Sequence, residues 1–315
     1  MSYAARAGGG GDIVGRVTDY GRPVEFGIFP LPEAARHQNI VADMEYADRA
    51  GLEVVGIQDH PYQRRFLDTF SLIADIAART TRLRFFPDVA CLPLRPPAMM
   101  AKAAAIDLMS GGRFELGLGA GGFWDAIEAM GGPRRQPRDA VDAVEEAIAV
   151  LRLCWSDQRA VRFEGAHYRV SGLHPGPQPA HDIGIWVGAA GPRMLSLIGR
   201  LADGWVPSSS WLGPDSALDR AARIDEAAVA AGRSPADIRR IYNVNGRITD
   251  RESNGFLDGP PDQWVDQLTQ VAVETGMDTF VLWSKDADPS AQLRRYAEEV
   301  APAVRQAVAN ARGSS

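Results

Sequence analysis

Residues 183–207, IGIWVGAAGPRMLSLIGRLADGWVP, contain one complete strand, helix and strand unit. The apolar run Ile183–Val187 predicts a buried strand, and the small residues Gly188–Gly191 predict the turn that follows it. Pro192 predicts the first residue of a helix, because proline lacks only an N–H group that would have no partner at that position. The run Gly204–Pro207 predicts the next strand. Two strands joined by a helix form a βαβ unit, which is typical of parallel sheets.

The same alternation continues along the chain and gives eight predicted strands. Each is a mostly apolar run, so each is expected to be buried on both faces. Eight such units in one chain predict an α/β fold, a closed (β/α)8 TIM barrel, in preference to an open doubly wound sheet. The predicted strands are Val24–Phe29, Val54–Gln58, Leu83–Val89, Phe114–Leu118, Ile183–Val187, Gly204–Pro207, Ile241–Arg247 and Thr279–Trp283.

Helix boundaries are marked by residues with known end preferences. Gly51 and Gly276 predict helix ends, because glycine readily adopts the left-handed conformation found there. Asp68 or Thr69 predicts a capped helix start. We expect Pro302 to kink or end the last helix. The predicted helices are 38–50, a helix from 68 or 69, a helix from 97, 139–153, a helix from 192, 215–231, 262–275 and a helix after 289.

Two segments depart from the repeat. Residues 156–182 predict an insertion before the fifth strand, with a hairpin that pairs residues 160–163 with residues 167–170. Such an insertion fits either a binding loop or a structural decoration. Residues 1–22 predict a flexible N-terminal lead-in, which leaves residues 23–315 as a single TIM-barrel domain.

Composition restricts the possible function classes. The chain has 315 residues, 45% of them hydrophobic, and a formal net charge of −6, which describes a globular protein able to bury a large core. A net negative charge disfavours nucleic acid and anionic membranes as partners. No apolar run reaches the length of about 18 residues that a membrane span requires. Cys91 and Cys154 are too few for a disulfide framework, so we expect buried thiols and a cytoplasmic location.

Candidate site residues follow the predicted strands, because a TIM barrel builds its site from loops at the carboxyl ends of its strands. The loop after the fourth strand combines small residues with two aromatic ones, so backbone can approach a flat ligand beside an aromatic wall. The loop after the fifth strand leads directly into a helix, whose free N–H groups bind anions. The candidate ligand-binding residues are Asp88, Val89, Ala90, Gly119, Ala120, Gly121, Gly122, Gly188, Ala189, Ala190, Gly191, Pro192, Arg193 and Met194.

Asp59 and His60 are the candidate catalytic residues after the second strand. An imidazole can donate or accept a proton near neutral pH, which suits acid–base chemistry at the edge of a polar ring. The histidines lack the spacing of metal ligands, so no metal site is predicted. Aromatic and amide side chains near other strand ends predict a mouth for a planar ring and a small organic substrate. These substrate-pocket candidates are Phe29, Phe123, Trp124, Trp205, Asn243, Asn245 and Trp283.

Three stretches resemble the luciferase-like oxidoreductases, which use FMN or the deazaflavin F420. Residues 110–122, SGGRFELGLGAGG, are similar to the signature of the family around its fourth strand. Asp59-His60 is similar to the end of the second strand where F420 members place a histidine against the ring. Residues 187–195 with residues 201–205 are similar to the phosphate-binding segment of methylenetetrahydromethanopterin reductase-like members. The resemblance implies a TIM barrel with its cofactor in the mouth, a cis peptide at Asp88-Val89 and a homodimer.

The resemblance also has a departure. Gly122 stands where the sugar-phosphate dehydrogenases of the family have a catalytic glutamate, which argues against a sugar-phosphate substrate. The preferred interpretation is F420-dependent hydride transfer to or from a small organic molecule. An FMN-dependent monooxygenase and a non-catalytic flavin-binding barrel are the alternatives.

Overall fold

The computed structural model describes residues 19–313, which form a barrel of parallel strands surrounded by helices. Around the barrel the strand order is β3, β2, β1, β12, β10, β9, β8, β5 and β4. Each of the predicted strands is present, so the predicted (β/α)8 fold is confirmed. The strands are β1 (Glu25–Ile28), β2 (Val54–Ile57), β3 (Arg84–Pro87), β4 (Ala90–Cys91), β5 (Leu116–Gly119), β6 (Val161–Glu164), β7 (Arg169–Leu173), β8 (Ile185–Val187), β9 (Gly204–Trp205), β10 (Arg239–Ile248), β11 (Asp258–Gly259) and β12 (Thr279–Ser284).

Helices follow the strands and begin and end largely where the sequence predicts. Gly51 and Gly276 end their helices with φ values of 86° and 71°, and Asp68 accepts a hydrogen bond from the Ser71 backbone N–H at 2.9 Å. The helices are α1 (His37–Ala50), α2 (Thr69–Ala77), α3 (Pro97–Met100), α4 (Ala104–Ser110), α5 (Trp124–Ala129), α6 (Pro137–Cys154), α7 (Pro192–Leu201), α8 (Pro214–Ala230), α9 (Pro261–Thr275), α10 (Pro289–Arg295) and α11 (Ala301–Gly313).

Pro302 does not end the last helix, so this part of the prediction is wrong. Pro302 is the second residue of α11, which continues to Gly313. A π-helical turn, Tyr296–Val300, lies directly before it. Proline lacks the N–H group that a continuous α-helix would use, and the wider turn changes the hydrogen-bond register just before that position.

The third predicted strand is divided into β3 and β4. β3 pairs with β2 and β4 pairs with β5, and the cis peptide bond Asp88-Val89 lies between the two pieces, as the family resemblance implied. The barrel closes at Phe85, whose backbone N–H donates to the Arg113 carbonyl while its carbonyl accepts from the Glu115 N–H, both at 2.8 Å. Asp88 and Val89 are therefore at the carboxyl end of the barrel.

Arg113, next to the point where the barrel closes, connects it to the end of α2 by hydrogen bonds. Its guanidinium donates to the carbonyl oxygens of Ala77, Thr80 and Leu83 at 2.7, 3.0 and 2.8 Å. The preceding Gly111 and Gly112 have φ values of 73° and 83°, which glycine adopts without steric cost. The first half of the signature stretch thus closes the barrel, and its second half continues into the strand that leads to the mouth.

The predicted hairpin insertion is present as the antiparallel pair β6 and β7. It is attached to α6 through Glu146, whose carboxylate accepts the backbone N–H groups of Ala166, His167 and Tyr168 at 2.7, 2.9 and 2.9 Å. The turn of the hairpin therefore lies beside the middle of α6.

The barrel interior has its own packed layer, separate from the larger core between strands and helices. Its members are Phe29, Val54, Phe86, Trp186, Val206, Ile241 and Val281, with Leu31, Val89 and Trp283 packed against them. These last three residues connect the interior layer to the mouth.

The N-terminal lead-in is described only from residue 19. Tyr20 donates to the Asp225 carboxylate at 2.5 Å, and the Arg240 guanidinium lies over its ring, so residues 19–22 pack on the barrel. The rest of the predicted lead-in, residues 1–18, lies outside the described residues, and the division into lead-in and barrel stays a prediction. Within residues 19–313 no helix is both long and apolar enough to cross a bilayer.

Candidate functional site

The segments that follow β2, β3, β5 and β8 meet around one cavity at the carboxyl end of the barrel. The cavity has a volume of about 390 Å³. The predicted residues that line it are Asp59, His60, Val89, Ala90, Gly119, Ala120, Gly121, Gly122, Phe123, Gly188, Ala189, Gly191 and Met194. The structure therefore brings together segments that are more than 120 residues apart in sequence.

Glycines make room in two ways along the cavity wall. At Gly119 and Gly188 a Cβ atom would lie 2.5 and 3.1 Å from Val89 Cγ2, so the absence of a side chain lets the Val89 side chain fit between these strands. At Gly122 and Gly191 a Cβ atom would meet nothing within 4 Å. The second pair consequently leaves open space next to bare backbone, which is a suitable surface for a flat or anionic ligand.

His60 is the titratable side chain best placed to meet a ligand in the cavity. Its ring stacks on Tyr62 and meets the Phe123 ring edge-on, both with centroids 5.2 Å apart. Within residues 19–313 neither ring nitrogen hydrogen-bonds to another protein group. Burial lowers the pKa of His60, although the Asp59 carboxylate opposes this shift. The imidazole is therefore neutral at pH 7 and has one donor and one acceptor available.

The Asp59 carboxylate holds the loop between β4 and α3 in place. Its carboxylate, 1% exposed, receives two hydrogen bonds of 2.7 Å from the Arg95 guanidinium and one of 2.9 Å from the Cys91 backbone N–H. This arrangement favours a positioning role over proton transfer. The predicted catalytic role of Asp59 stays a prediction, and the geometry does not favour it.

Asp88 points into the barrel interior, whereas its neighbour Val89 lines the cavity. The Asp88 residue is 9% exposed, and a Cβ atom on Gly56 would lie 2.6 Å from its Oδ2. Burial raises the pKa of the Asp88 carboxyl to about 7, and a hydrogen bond from the Asn243 side chain partly opposes this rise. The two residues come from opposite parts of the chain, after β3 and within β10.

The turn before α7 presents its backbone to the cavity, but Arg193 does not. Gly191 caps α7 without a side-chain hydrogen bond, and Gly191 and Met194 line the cavity. The Arg193 guanidinium pairs with the Asp142 carboxylate at 2.9 Å and is half-exposed. Ala190 instead accepts a hydrogen bond from Arg220.

The predicted substrate-pocket residues are divided among three places. Phe123 is at the rim of the cavity, and the Trp124 ring lies beside Gly121. Phe29 and Trp283 pack with ring centroids 5.2 Å apart on the other half of the barrel mouth. On that half the Asn245 amide donates to the Trp283 carbonyl, and Asn243 faces inward toward Asp88.

Trp205 does not line the mouth. Its side chain is fully buried in the core outside the barrel, and its indole N–H donates to the Ala189 carbonyl at 2.8 Å. Because strand residues alternate between the two faces, Trp205 points away from the interior that Gly204 and Val206 face. Trp205 thus supports the turn before α7 from behind.

Three residues near the site were not predicted from the sequence. Tyr62 lines the cavity and could have been found from its spacing of two residues after His60. Arg95 has no local signal, because its partner Asp59 is distant in sequence. Arg135 donates to the Tyr168 hydroxyl at 3.0 Å, and its Nη1 is buried with no partner in the described part of the chain.

Two observations relate Arg135 to the cavity. Cys91 lines the cavity, and burial raises the pKa of its thiol to about 11. The positive charge of Arg135 is among the groups that oppose this rise. Pro137, two residues further along the chain, lines the cavity. Arg135 is a candidate partner for an anionic group of a ligand.

One group of potential metal ligands lies outside the cavity. Atoms of Asp139, Asp142 and His167 lie within 4.8 Å of one another. Asp142 is already paired with Arg193 at 2.9 Å. This cation competes with a metal ion for the same carboxylate.

Comparisons with known proteins agree with the geometry. A model of the luciferase-like monooxygenase family matches residues 24–254. The chain is 28% identical over 286 residues to the F420-dependent hydroxymycolic acid dehydrogenase of Mycobacterium tuberculosis, an alignment that covers 85% of this chain and 77% of that protein. It is 30% identical over 190 residues to the 5,10-methylenetetrahydromethanopterin reductase of Archaeoglobus fulgidus, an alignment that covers 59% of this chain and 54% of the reductase.

The fold is similar to that of a solved F420-dependent secondary alcohol dehydrogenase in complex with an F420-acetone adduct. The TM-score is 0.80 at 16% identity, with 90% of this chain and 99% of the other covered.

Proposed function

This chain belongs to the luciferase-like monooxygenase family, and from that premise we propose that it is an F420-dependent oxidoreductase that transfers hydride to or from a small organic substrate. The observation that carries the proposal is the cavity in which His60, Val89 and two glycine-containing turns meet. One sequence relative named above is an F420-dependent dehydrogenase, and the other is a reductase. The F420-dependent relative favours F420 over FMN as the cofactor.

The cavity fits a tricyclic ring on chemical grounds. Bare backbone at Gly122 and Gly191 leaves open space, and Phe123 and Tyr62 supply aromatic walls. The backbone N–H groups at the start of α7 suit an anionic tail. The bound deazaflavin would supply a carbon that accepts or donates hydride.

The residues of this chain then have distinct tasks. The neutral His60 imidazole hydrogen-bonds the polar edge of the ring and holds its orientation. Asp59 positions the loop after β4 through Arg95. Aromatic side chains on both halves of the mouth exclude water, which keeps the reacting carbons close and prevents loss of hydride to solvent.

A second candidate is an FMN-dependent monooxygenase. The description of the family as monooxygenases favours it, and FMN has a ring of similar shape. The expected homodimer is independent of this choice and stays a prediction.

A side-by-side cofactor titration tests the proposal. We expect the purified protein to bind F420 with saturable quenching of cofactor fluorescence, and not to consume oxygen with reduced FMN. The variant Gly122→Leu adds a side chain to the cavity without a clash, because a Cβ there meets nothing within 4 Å. We expect this variant to fold and to lose F420 binding.

Gly213→Leu is the matched control, because Gly213 is equally open and is the N-cap of α8, outside the cavity lining. It should bind F420 as the wild type does. Fast oxygen consumption with reduced FMN, without F420 binding, would establish the monooxygenase instead.

A further inference from the structure

A second cavity lies beside the barrel mouth, between helix α1 and the strands β1 and β12. Its volume is about 100 Å³. Its wall includes Phe29 and Trp283, the aromatic pair on the half of the mouth away from the cavity described above. Its charged side chains are Arg36 at the start of α1, Asp43 within α1, and Asp286 after β12. This cavity, which we call the α1 pocket, therefore combines an apolar wall with charges of both signs.

The Arg36 guanidinium has no partner within the described part of the chain. The residue is partly buried, and its side chain makes no hydrogen bond or ion pair with any group in residues 19–313. A guanidinium carries five N–H donors in a fixed planar arrangement, which matches the two oxygen atoms of a carboxylate. Arg36 therefore offers the pocket an unused group for binding a carboxylate.

Asp43 brings the opposite charge into the α1 pocket. The Ser290 hydroxyl donates to Asp43 Oδ2 at 2.8 Å, whereas Oδ1 accepts no hydrogen bond from residues 19–313. Burial raises the pKa of Asp43, and the nearby Asp288 adds to this rise. The Ser290 hydrogen bond and the positive charges of Arg36 and Arg294 oppose it. One carboxylate oxygen of Asp43 is thus free to accept a hydrogen bond from a ligand.

Arg36 and Asp43 influence each other without forming an ion pair. Asp43 is seven residues after Arg36, which is about two helical turns, or about 10 Å along the axis of α1. The charge of Arg36 acts on the Asp43 carboxylate, yet the two groups do not pair. Asp286 adds a second carboxylate to the same lining. A ligand that carries both charges would bridge the gap between them.

We propose that the α1 pocket binds the zwitterionic head group of an α-amino acid, with its carboxylate on Arg36 and its ammonium group on Asp43 and Asp286. The carboxylate receives two parallel hydrogen bonds from the guanidinium, and the ammonium group donates to the free oxygen of Asp43. This site goes beyond the proposed function and does not depend on F420. The head group can belong to the substrate or to a separate effector, and the experiment distinguishes these two sources.

The size and the charges of the α1 pocket argue against other ligands. Its volume is well below the roughly 300–1,000 Å³ of sites for drug-sized molecules, so a nucleotide or a sugar phosphate is too large for it. An inorganic anion would meet Arg36 but would also face two carboxylates. A simple cation would leave the guanidinium unpaired, which is costly for a partly buried charge. A zwitterion satisfies both signs of charge.

The test follows the backbone amide signals of residues 28–44 and 282–289 by NMR while a probe is added. The probes are L-alanine, propanoate, which lacks the ammonium group, and L-alaninamide, which lacks the carboxylate. We expect saturable shifts with L-alanine and an affinity at least about tenfold lower for the other two probes, since a hydrogen bond to a charged group contributes about 1.5–3 kcal/mol. Equal affinities for L-alanine and propanoate, or no saturable shift with L-alanine, would overturn the proposal.

Two substitutions test the named side chains. Arg36→Gln removes a guanidinium without a partner in residues 19–313, and Asp43→Asn keeps an oxygen that can accept from Ser290, so we expect both variants to fold. Each should bind L-alanine at least about tenfold more weakly than the wild type. Arg49→Gln, which removes an exposed cation of the same helix outside the pocket lining, is the matched control and should bind normally. Normal binding by Arg36→Gln and Asp43→Asn would overturn the assignment of these residues.

The source of the head group is determined with L-norleucine in the presence of F420. A nuclear Overhauser effect between the terminal methyl group of L-norleucine and the deazaflavin ring would support a substrate whose head group lies in the α1 pocket. Saturable binding of L-norleucine without this effect would support a separate effector. Failure of the protein to bind F420 would overturn the proposed function and would leave the result with L-alanine unaffected, so the two failures are distinguishable.

Discussion

The His60 imidazole has no hydrogen-bond partner among the described residues, although it lies between two aromatic rings that fix its orientation. This combination indicates a side chain whose partner is a ligand. We expect His60→Ala to lower turnover at least about 100-fold, because this is the usual effect of removing a group that acts in the transition state. The affinity for F420 should change less than about tenfold. The comparison is made by single-turnover kinetics and fluorescence titration.

The direction of the His60 pKa shift adds a pH test. Its pKa is lowered by burial, so the neutral form persists to below the usual value of 6.5. Loss of wild-type activity through protonation of His60 should therefore have its midpoint below pH 6.5. His60→Gln, which keeps a donor and an acceptor, should recover part of the lost rate. Equal turnover in His60→Ala and the wild type would contradict the assignment.

Arg135 has a buried guanidinium nitrogen, Nη1, that has no hydrogen-bond partner among the described residues. A charge-assisted hydrogen bond contributes about 1.5–3 kcal/mol, which corresponds to a factor of roughly 10 to 150 in affinity. We therefore expect Arg135→Gln to weaken F420 binding by that factor and to reduce the salt dependence of the affinity. Arg138→Gln, three residues along and largely exposed, is the control and should bind normally. Equal affinities for the two variants would show that Arg135 has only its structural contact with Tyr168.

At the level of single residues, the sequence predicted positions better than tasks. The candidates that follow strands were placed correctly at the mouth, because the carboxyl ends of parallel strands meet at one end of a barrel. Asp59 was not distinguished from His60, because the Arg95 guanidinium that engages its carboxylate is brought near only by tertiary folding. Trp205 was predicted on the face of the strand opposite to the one it occupies. Its strand has only two residues, which is too short for the sequence to show which face is which.

The hairpin β6–β7 is the element whose anchoring can be tested separately from the fold. Glu146 holds its turn through three backbone N–H groups. Burial alone would raise the pKa of Glu146, but these hydrogen bonds outweigh it and the pKa is lowered. We expect Glu146→Gln to increase hydrogen exchange in residues 161–173 with little change in the exchange of the barrel strands. Glu145→Gln, which removes a surface pair with Arg200, is the neighbouring control.

The same carboxylate has a defined pH window. A lowered pKa means that its stabilising contribution is present above the unfolded value of 4.5 and is lost as pH falls through the lower folded value. Exchange in the wild-type hairpin should therefore rise in acid below about pH 4.5, and Glu146→Gln should lack this rise. A hairpin equally protected in both proteins would show that apolar packing alone holds it.

At the level of elements, the apolar runs located the eight strands predicted for the barrel, because a strand buried on both faces leaves a continuous signal in sequence. The short strand β11 was not predicted. The break between β3 and β4 was not predicted, although Pro87 and Asp88 interrupt the apolar run Leu83–Val89 at the point where the chain changes neighbours. The π-helical turn before Pro302 was equally hidden, because it depends on how the last helix packs and not on its composition.

The two ends of the barrel have different roles. The mouth contains the candidate site, and the amino end contributes to stability. The mouth has the neutral His60 imidazole and one ion pair in the cavity lining, Asp59 with Arg95, whereas the amino end has a network of several paired charges. Glu25 there pairs with Arg84 and Arg239, and Glu115 accepts the Gly184 N–H at 2.7 Å. This division agrees with the general behaviour of TIM barrels, in which residues at the amino end serve stability.

His181 connects the end of the insertion to this network and makes its contribution measurable. Its Nδ1 is 2.8 Å from Asp107 Oδ1, and its Nε2 is 3.6 Å from Glu115 Oε1. The Glu115 carboxylate, and next the Asp107 carboxylate to which His181 is hydrogen-bonded, raise the pKa of His181, against the opposing effect of burial. A raised pKa means that the stabilisation is fully present below the unfolded value of 6.5 and is lost as pH rises through the folded value.

We therefore expect the difference in unfolding free energy between the wild type and His181→Asn to be constant below pH 6.5 and to shrink as pH rises above it. Urea unfolding at pH 5.5, 6.5, 7.5 and 8.5 measures this difference. The subtraction removes the contributions of Asp88 and His60, which are common to both proteins and titrate on their own. A difference that stays constant over this range would show that the pKa of His181 is the same in the folded and the unfolded protein.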